Sequence, residues 1–169
     1  MTASITLADI TIRTELQAGD IGYLTYLHGI LYRAEYNYGL SFEGYVAAGL
    51  HEFVINYDPA RSRVWVCEYE NKMVAFLALM DRGEAAQLRY FLVTPAFRGL
   101  GLGRKLLDQY MAFLRQCQYR STYLWTTEEQ VTAIRLYQRY GFRLSEEKPS
   151  TAFGKPLIEQ RYDLVLNKF

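Results

Sequence analysis

Little in this chain of 169 residues points to metal, membrane or nucleic acid. Its two cysteines, Cys67 and Cys117, stand without metal-ligand spacing or a disulfide framework, in apolar contexts that suit small core residues. No metal site is expected. Lysine and arginine number 19 against 18 aspartate and glutamate, a net charge of +1 with the two signs interspersed. That balance excludes the basic footprint of a nucleic-acid partner and a polybasic membrane patch. No apolar run approaches the length of a membrane span, and Met1-Thr2-Ala3-Ser4 lacks the basic and apolar regions of a secretory leader. A soluble, cytoplasmic protein is expected. Linkers, repeats and low-complexity segments are also missing, so residues 1–169 are expected to form a single domain. What is abundant is apolar: hydrophobic residues make up 50%, and aromatics 15% with fifteen tyrosines, which suits a globular protein with a large amphipathic surface.

Periodicity gives an α/β order. Residues 5–14 alternate as an opening strand, and a helix follows from Ile21 to about Tyr38 with Asp20 as its cap. A second helix begins after Ser41. Arg63–Tyr69, Met73–Met80 and Ala86–Val93 form a meander turned at Asn71-Lys72 and Arg82-Gly83. The third strand leads to a helix carrying Leu102, Leu106, Tyr110, Phe113 and Leu114 on one face. Ser121–Trp125 follows as a strand parallel to the one ending at Val93, since a helical crossover joins them. A helix over Glu128–Tyr140, stopped by Gly141, and strands at Phe142–Glu147 and Leu157–Leu166 complete the pattern.

The most informative stretch is Arg98-Gly99-Leu100-Gly101-Leu102-Gly103-Arg104, between the strand ending Phe91-Leu92-Val93 and the mouth of a helix. Each glycine in a helix's first turn costs roughly 1 kcal/mol relative to alanine, so this cluster needs an offsetting purpose. Anion binding supplies one, because free amides point outward there, the helix dipole favours negative charge, and Arg98 and Arg104 add cationic forks. The dinucleotide pattern G-x-G-x-x-G fails in both registers, and the P-loop pattern fails because Arg104-Lys105 follows Gly103. A flexible turn into a helix is the plain alternative.

The remaining R-x-x-G-x-G pattern, Arg98 to Gly103, resembles the pyrophosphate-binding motif of the GCN5-related N-acetyltransferases (GNAT). Ala133-Ile134-Arg135-Leu136-Tyr137-Gln138-Arg139-Tyr140-Gly141-Phe142 is similar to that family's A-x-x-L-Y-x-x-x-G-F segment. The order of elements also resembles the family along the whole chain. A looser likeness, in His28–Tyr36 and Ile158–Leu164, is to the acetyltransferase half of bacterial proteins that carry a MarR-type DNA-binding domain ahead of it; that half is not found in this sequence. The resemblance implies a GNAT fold, α/β in class, with six or seven mostly antiparallel strands, about four helices and splayed central strands. It implies acetyl-CoA as co-substrate, without a metal. The main chain of Phe91, Leu92 and Val93 would hold the pantetheine arm and the developing oxyanion. The amides of Gly99, Leu100, Gly101, Leu102, Gly103 and Arg104, with Arg98 in support, would hold the pyrophosphate. Tyr137 would protonate the departing thiolate, and a phenol with a pKa of about 10 is protonated at neutral pH. Its alternative is a buried aromatic. Gln130 stands where many members carry a cofactor-contacting asparagine, and Thr127-x-x-Gln130 fits a capping box equally well.

The base is open. His28, Tyr32 and Glu35 share one arc of the first helix with apolar residues, where polar groups need partners or a cavity. His28 and Glu35 are expected to line the acceptor pocket and act on the amine, directly or through water, or else to brace the helix as a hydrogen-bonded pair. Glu84, in a turn, and Arg89, expected to face solvent, are weaker candidates. Tyr32, Tyr36, Tyr38, Tyr45, Tyr90, Trp125 and Phe153 are candidates for an aromatic acceptor pocket. The expected activity is direct acetyl transfer to an amine, on a small molecule or a peptide, in a ternary complex. The alternatives are a CoA-binding sensor without turnover and a DNA-linked regulator, against which the near-neutral charge argues. A homodimer is compatible with the resemblance.

Overall fold

The computed structural model describes residues 5–166. Seven strands form one sheet in the order β1-β2-β3-β4-β5-β7-β6. They are β1 (Thr11–Arg13), β2 (Arg63–Tyr69), β3 (Lys72–Arg82), β4 (Ala85–Val93), β5 (Ser121–Thr127), β6 (Arg143–Ser150) and β7 (Leu157–Val165). Helices α1 (Asp20–Tyr36) and α2 (Leu40–Ile55) cover one face, and α3 (Leu102–Gln116) and α4 (Val131–Arg139) the other. Every strand pair is antiparallel except β4 with β5, which α3 joins as a parallel crossover.

The central strand explains the apolar run in the sequence. Met73 through Met80 are all buried, with Val74, Leu77 and Leu79 packed toward α3 while Phe76, Ala78 and Met80 pack toward α1 and α2. A strand covered on both faces reads as continuously hydrophobic. The helix α3 stripe of Leu102, Leu106, Tyr110, Phe113 and Leu114 is buried, as its spacing predicts.

Some boundaries differ from the sequence reading. The opening strand is only three residues long, because Leu7–Asp9 winds into a short 3-10 turn closed by reciprocal bonds between Thr6 and Asp9. Asp20 is the first residue of α1 rather than its cap; its carboxylate receives both terminal nitrogens of Arg13 at 2.6 and 2.8 Å and the amide of Gln17. The first hairpin turns on Glu70 and Asn71, both at positive φ (49° and 60°), and Lys72 already belongs to β3. Two positive φ values in succession suit the right-handed twist of the strands they join. Helix α4 starts three residues later than its pattern suggests, for a reason given below. Among the described residues, no helix is long and apolar enough to cross a membrane.

Candidate active site

The parallel pair β4 and β5 is bonded only at its start, where Ala85, Ala86 and Gln87 face Ser121, Thr122 and Tyr123. Beyond Gln87 the strands part. The facing edges of Leu88–Val93 and Leu124–Thr127 lack the ladder that each keeps with its other neighbour, β3 or β7. Unpaired strand edges are hydrogen-bonding surface for an extended ligand.

A bulge sharpens the opening. Ala78 pairs with Arg89 and Phe76 with Leu92, so Leu77 alone faces both Tyr90 and Phe91, and Tyr90 adopts φ of +56°. The bulge breaks the alternation of side chains. Leu88 and Phe91 pack toward α3, whereas Arg89, Tyr90 and Leu92 all lie on the α1–α2 side. Gly49 of α2 makes room for this: a Cβ there would collide with the Tyr90 hydroxyl and lie 2.7 Å from Nη2 of Arg89.

The parting holds a cavity of about 100 Å³. His28 and Tyr32 of α1 line it, with Phe42 and Tyr45 of α2, Arg89 and Tyr90 of β4, Trp125 and Thr126 of β5, Tyr137 of α4, Phe153 of the β6–β7 loop and Glu159 of β7. The aromatic residues form a continuous wall in which Tyr32 stacks on Phe42 at 4.7 Å and on His28 at 5.5 Å, and Phe153 meets Phe42, Tyr38 and Tyr45. Of the aromatics expected near the acceptor, Tyr36 and Tyr38 stand behind this wall. Tyr38 closes one end by a 2.6 Å bond to Thr127 Oγ1. Thr127, bonded to Tyr38, is the last residue of β5 and makes no side-chain cap bond among the described residues; α4 begins at Val131, and Gln130, its N-cap residue, lines the cleft.

Tyr137 is 5% exposed and packs between Phe91 and Phe142. Its hydroxyl has no protein hydrogen bond among the described residues, and burial raises its pKa well above the ordinary tyrosine value, so it stays protonated. His28 is 3% exposed and bonds the Leu24 carbonyl through Nδ1 at 2.9 Å. A carbonyl only accepts, so Nδ1 carries the proton and Nε2 the lone pair. Burial pushes this imidazole down to about 4. The ring is therefore neutral at pH 7 and acts as a hydrogen-bond acceptor.

Glu35 does not join it. Its exposed carboxylate is held by Arg98 in a two-toothed pair, Oε1 to Nη2 at 2.6 Å and Oε2 to Nη1 at 3.0 Å, and it is not among the residues lining the cleft. Arg98 also bonds the Val93 carbonyl through Nε at 2.9 Å. Arg98, expected at the pyrophosphate, and Glu35, expected at the acceptor, are thus engaged with each other: Arg98 ties the end of β4 to α1, and Glu35 is its anchor.

At the end of β4 lies the glycine-rich turn. Gly99 and Gly101 have φ of +78° and +85°, conformations that side chains with a Cβ rarely adopt, and Gly101 precedes the first residue of α3. Around them, Arg98 N donates to Pro95 O and Lys105 N to Gly101 O, while the amides from Gly99 through Arg104 donate to no acceptor among the described residues. Leu102 is buried, so only its amide is free for a ligand, and Arg104 is exposed. Gly103 sits 3.4 Å in Cβ terms from both Leu136 and Phe91, which brings α3 close to α4 and β4. Among the described residues, no group of three or more His, Cys, Asp or Glu could hold a metal.

An acyl-transfer site is what this arrangement can make: an anion cradle, an unpaired strand edge leading from it, and a buried phenol beside an open cavity. The sequence agrees. Residues 30–142 match the acetyltransferase (GNAT) family, and the chain belongs to that family. It is similar to the uncharacterized N-acetyltransferase YjgM of Escherichia coli, 36% identical over 114 residues that are 62% of this chain and 67% of that protein. It is also similar to the uncharacterized N-acetyltransferase MJ1207 of Methanocaldococcus jannaschii, 32% identical over 89 residues, 48% of this chain and 39% of that one. A GNAT family acetyltransferase from Elizabethkingia anophelis, crystallised with acetyl-CoA bound, shares the fold with a TM-score of 0.65, 16% identity, and coverage of 94% of this chain and 99% of its own.

Among the polar lining residues, sequence reasoning misplaced Arg89 and did not single out Thr126 or Glu159 for the cleft. Arg89 was expected to face solvent, but α2 covers it and its side chain is 10% exposed. Glu159 supplies the one carboxylate among the described lining residues, and Thr126 a buried hydroxyl without a partner. For Arg89 the signal was present as a charge on the strand leading into the glycine-rich turn; for the other two nothing local marks them.

Proposed function

We propose that this single domain, residues 1–169, is an acetyl-CoA-dependent N-acetyltransferase that passes the acetyl group directly to an amine in a ternary complex. The observation that carries the reading is the unpartnered Tyr137 hydroxyl beside the parted β4–β5 edge, whose far end runs into the free amides of Gly99–Arg104. Acetyl-CoA supplies the activated acyl group and the thiolate that leaves. The chain supplies the rest. Free amides with a helix dipole behind them suit the pyrophosphate, with exposed Arg104 nearby. The main chain of Phe91, Leu92 and Val93 suits the pantetheine arm and the developing oxyanion, since preorganised amides at an unpaired edge cost no reorganisation during reaction. Gln130 borders the same cleft. Tyr137, kept protonated by burial, gives its proton to the thiolate and regains one from the proton that the amine releases as the amide forms, so the net transfer is from amine to thiol.

His28 Nε2 receives a hydrogen bond from the neutral amine and holds its lone pair toward the carbonyl. With its pKa held low, His28 is an orienting acceptor more than a proton store. Glu35 keeps a supporting role, through Arg98, in holding the pyrophosphate turn. The likeness of His28–Tyr36 and Ile158–Leu164 to the MarR-fused acetyltransferases bears on the same cleft, since His28 and Tyr32 come from one segment and Glu159 from the other.

The test is incubation of the full chain with acetyl-CoA and a library of amines, following thiol release and product mass. Acetylated amine is the expected outcome. Tight CoA binding with no acetylated product from any amine would instead assign a CoA sensor.

A further inference from the structure

Arg89 is an unusually placed cation. Its side chain is 10% exposed, yet its polar partners are held only at long range: Nη2 donates a 3.4 Å hydrogen bond to the Tyr45 hydroxyl, and Nη1 forms a loose ion pair with Glu52 Oε2 at 3.9 Å. The other oxygen of Glu52 is already taken by Arg82 at 2.9 Å. The guanidinium instead lies over the Tyr90 ring at 4.7 Å and near that of Tyr45 at 5.7 Å. Guanidinium groups buried this far ordinarily have close hydrogen-bonded anions, because an unpaired buried charge is costly.

An unsatisfied group adjoins this weakly paired cation. The Tyr90 hydroxyl is fully buried without a hydrogen-bond partner among the described residues, on a residue 8% exposed, and it meets Arg89 over Gly49. Tyr90 reaches that place only through the bulge and a positive φ, a conformation that a non-glycine residue keeps at some cost. Both residues line the cavity that Tyr137 lines. Across the parted strands, on β7, Glu159 puts a carboxylate on the same cavity, with Lys148 3.9 Å away. The cleft therefore has a positive wall on β4 and a negative one on β7.

Building on the acetyltransferase reading, we propose that Arg89, with the Tyr90 and Tyr45 hydroxyls beside it, is a carboxylate-reading subsite for the acceptor, and that the acceptor is a small amino acid-like amine. A zwitterion matches both walls, with its carboxylate toward Arg89 and its amino group toward Glu159 and His28. Polyamines do not match, because Arg89 repels a second cationic group. Arg89 is a binding and specificity residue here; the proton chemistry stays with Tyr137.

The experiment compares the common L-amino acids with their α-carboxamides and with spermidine as acceptors for the full chain and acetyl-CoA. The best amino acid is expected to exceed its carboxamide in kcat/KM by about 10- to 100-fold, the range for a charge-assisted bond to a buried group. Arg89→Gln should bring that ratio to within about threefold, and Arg89→Lys should keep part of it. CoA affinity and the urea midpoint, measured on each variant, report whether it is folded. Carboxamides or spermidine acetylated as well as amino acids, or a preference that survives in folded Arg89→Gln, would overturn the proposal. If the wild type acetylates no amine, the acetyltransferase reading fails separately. Calorimetric titration of the same amino acids into CoA-loaded protein then decides the subsite: saturable binding abolished by Arg89→Gln supports it, and no binding overturns it.

Discussion

The two halves of the cleft are made of different materials. The half facing the glycine-rich turn is main chain: consecutive amides from Gly99 to Arg104, with Leu102 turned into the core and Arg98 occupied by Glu35 and the Val93 carbonyl. The other half is side chain, collected from α1, α2, β4, β5, β7 and the β6–β7 loop. A main-chain site tolerates almost any neighbours so long as the backbone takes the required turn, which suits a ligand part common to a whole family. A side-chain site changes with every substitution, which suits the part that differs between members.

Tyr137 stands at the seam, so its removal should give the largest effect and show that the halves are separable. Tyr137→Phe keeps the ring that packs on Phe91 and Phe142 and removes only the hydroxyl. Turnover is expected to fall by about 10²- to 10⁴-fold, the range for losing a positioned proton donor. CoA affinity, read by calorimetry, should hold within about twofold, since no protein group loses a hydrogen bond. An equal loss in both would mean that the ring organises the donor half and the proton comes from elsewhere.

His28 separates the halves by pH. Its folded pKa of about 4 lies below the ordinary 6.5, so the unfolded chain binds more protons between these values and stability rises with pH across them. The contribution is complete above about pH 6.5 and is lost as pH falls toward 4, amounting to about 3 kcal/mol. Urea midpoints measured at pH 7 and near pH 4.5 should show that slope, and His28→Gln should flatten it. Equal slopes in the two proteins would place the imidazole in contact with water.

Two glycines make the contrast at smaller scale. Gly101 is required by its φ of +85°, Gly49 by what lies above it. Gly101→Val should cost about 1–2 kcal/mol of backbone strain and weaken CoA roughly tenfold or more, with acceptor KM little changed. Gly49→Ala displaces Tyr90 and Arg89 and should raise acceptor KM with CoA affinity intact. Matching losses in both parameters for both variants would dissolve the distinction between the halves.

The same contrast explains what the sequence revealed. The turn, the stripe on α3, the buried β3 run and the parallel β4–β5 pair follow from local spacing and connection length, and all are present. The start of α4 was misplaced because Thr127 bonds Tyr38, a partner 89 residues away, rather than its own helix. Arg89 was read as exposed because strand alternation does not reveal that α2 lies over that face, or that Gly49 leaves room there. The bulge at Tyr90 has no glycine to announce it. Glu159 reaches the cleft only because β7 inserts between β5 and β6, an order set by tertiary pairing.

The smallest effect bears on the one residue that the sequence placed in the acceptor half and the structure ties to the donor half. If Glu35 were the base, Glu35→Gln would lower turnover and spare CoA binding. Its carboxylate is instead held by Arg98, and the pair is partly exposed, with side chains 28% and 47% accessible. Pairs of that exposure contribute at most about 1 kcal/mol after solvent screening. Glu35→Gln should therefore weaken CoA by no more than about fivefold and leave turnover at saturating acetyl-CoA close to wild type. High salt should weaken CoA binding less in the variant than in the wild type, because the wild type has a screened pair to lose as well. A fall in turnover with CoA affinity intact would show that Arg98 releases Glu35 in the ternary complex, and would move that carboxylate back to the acceptor half.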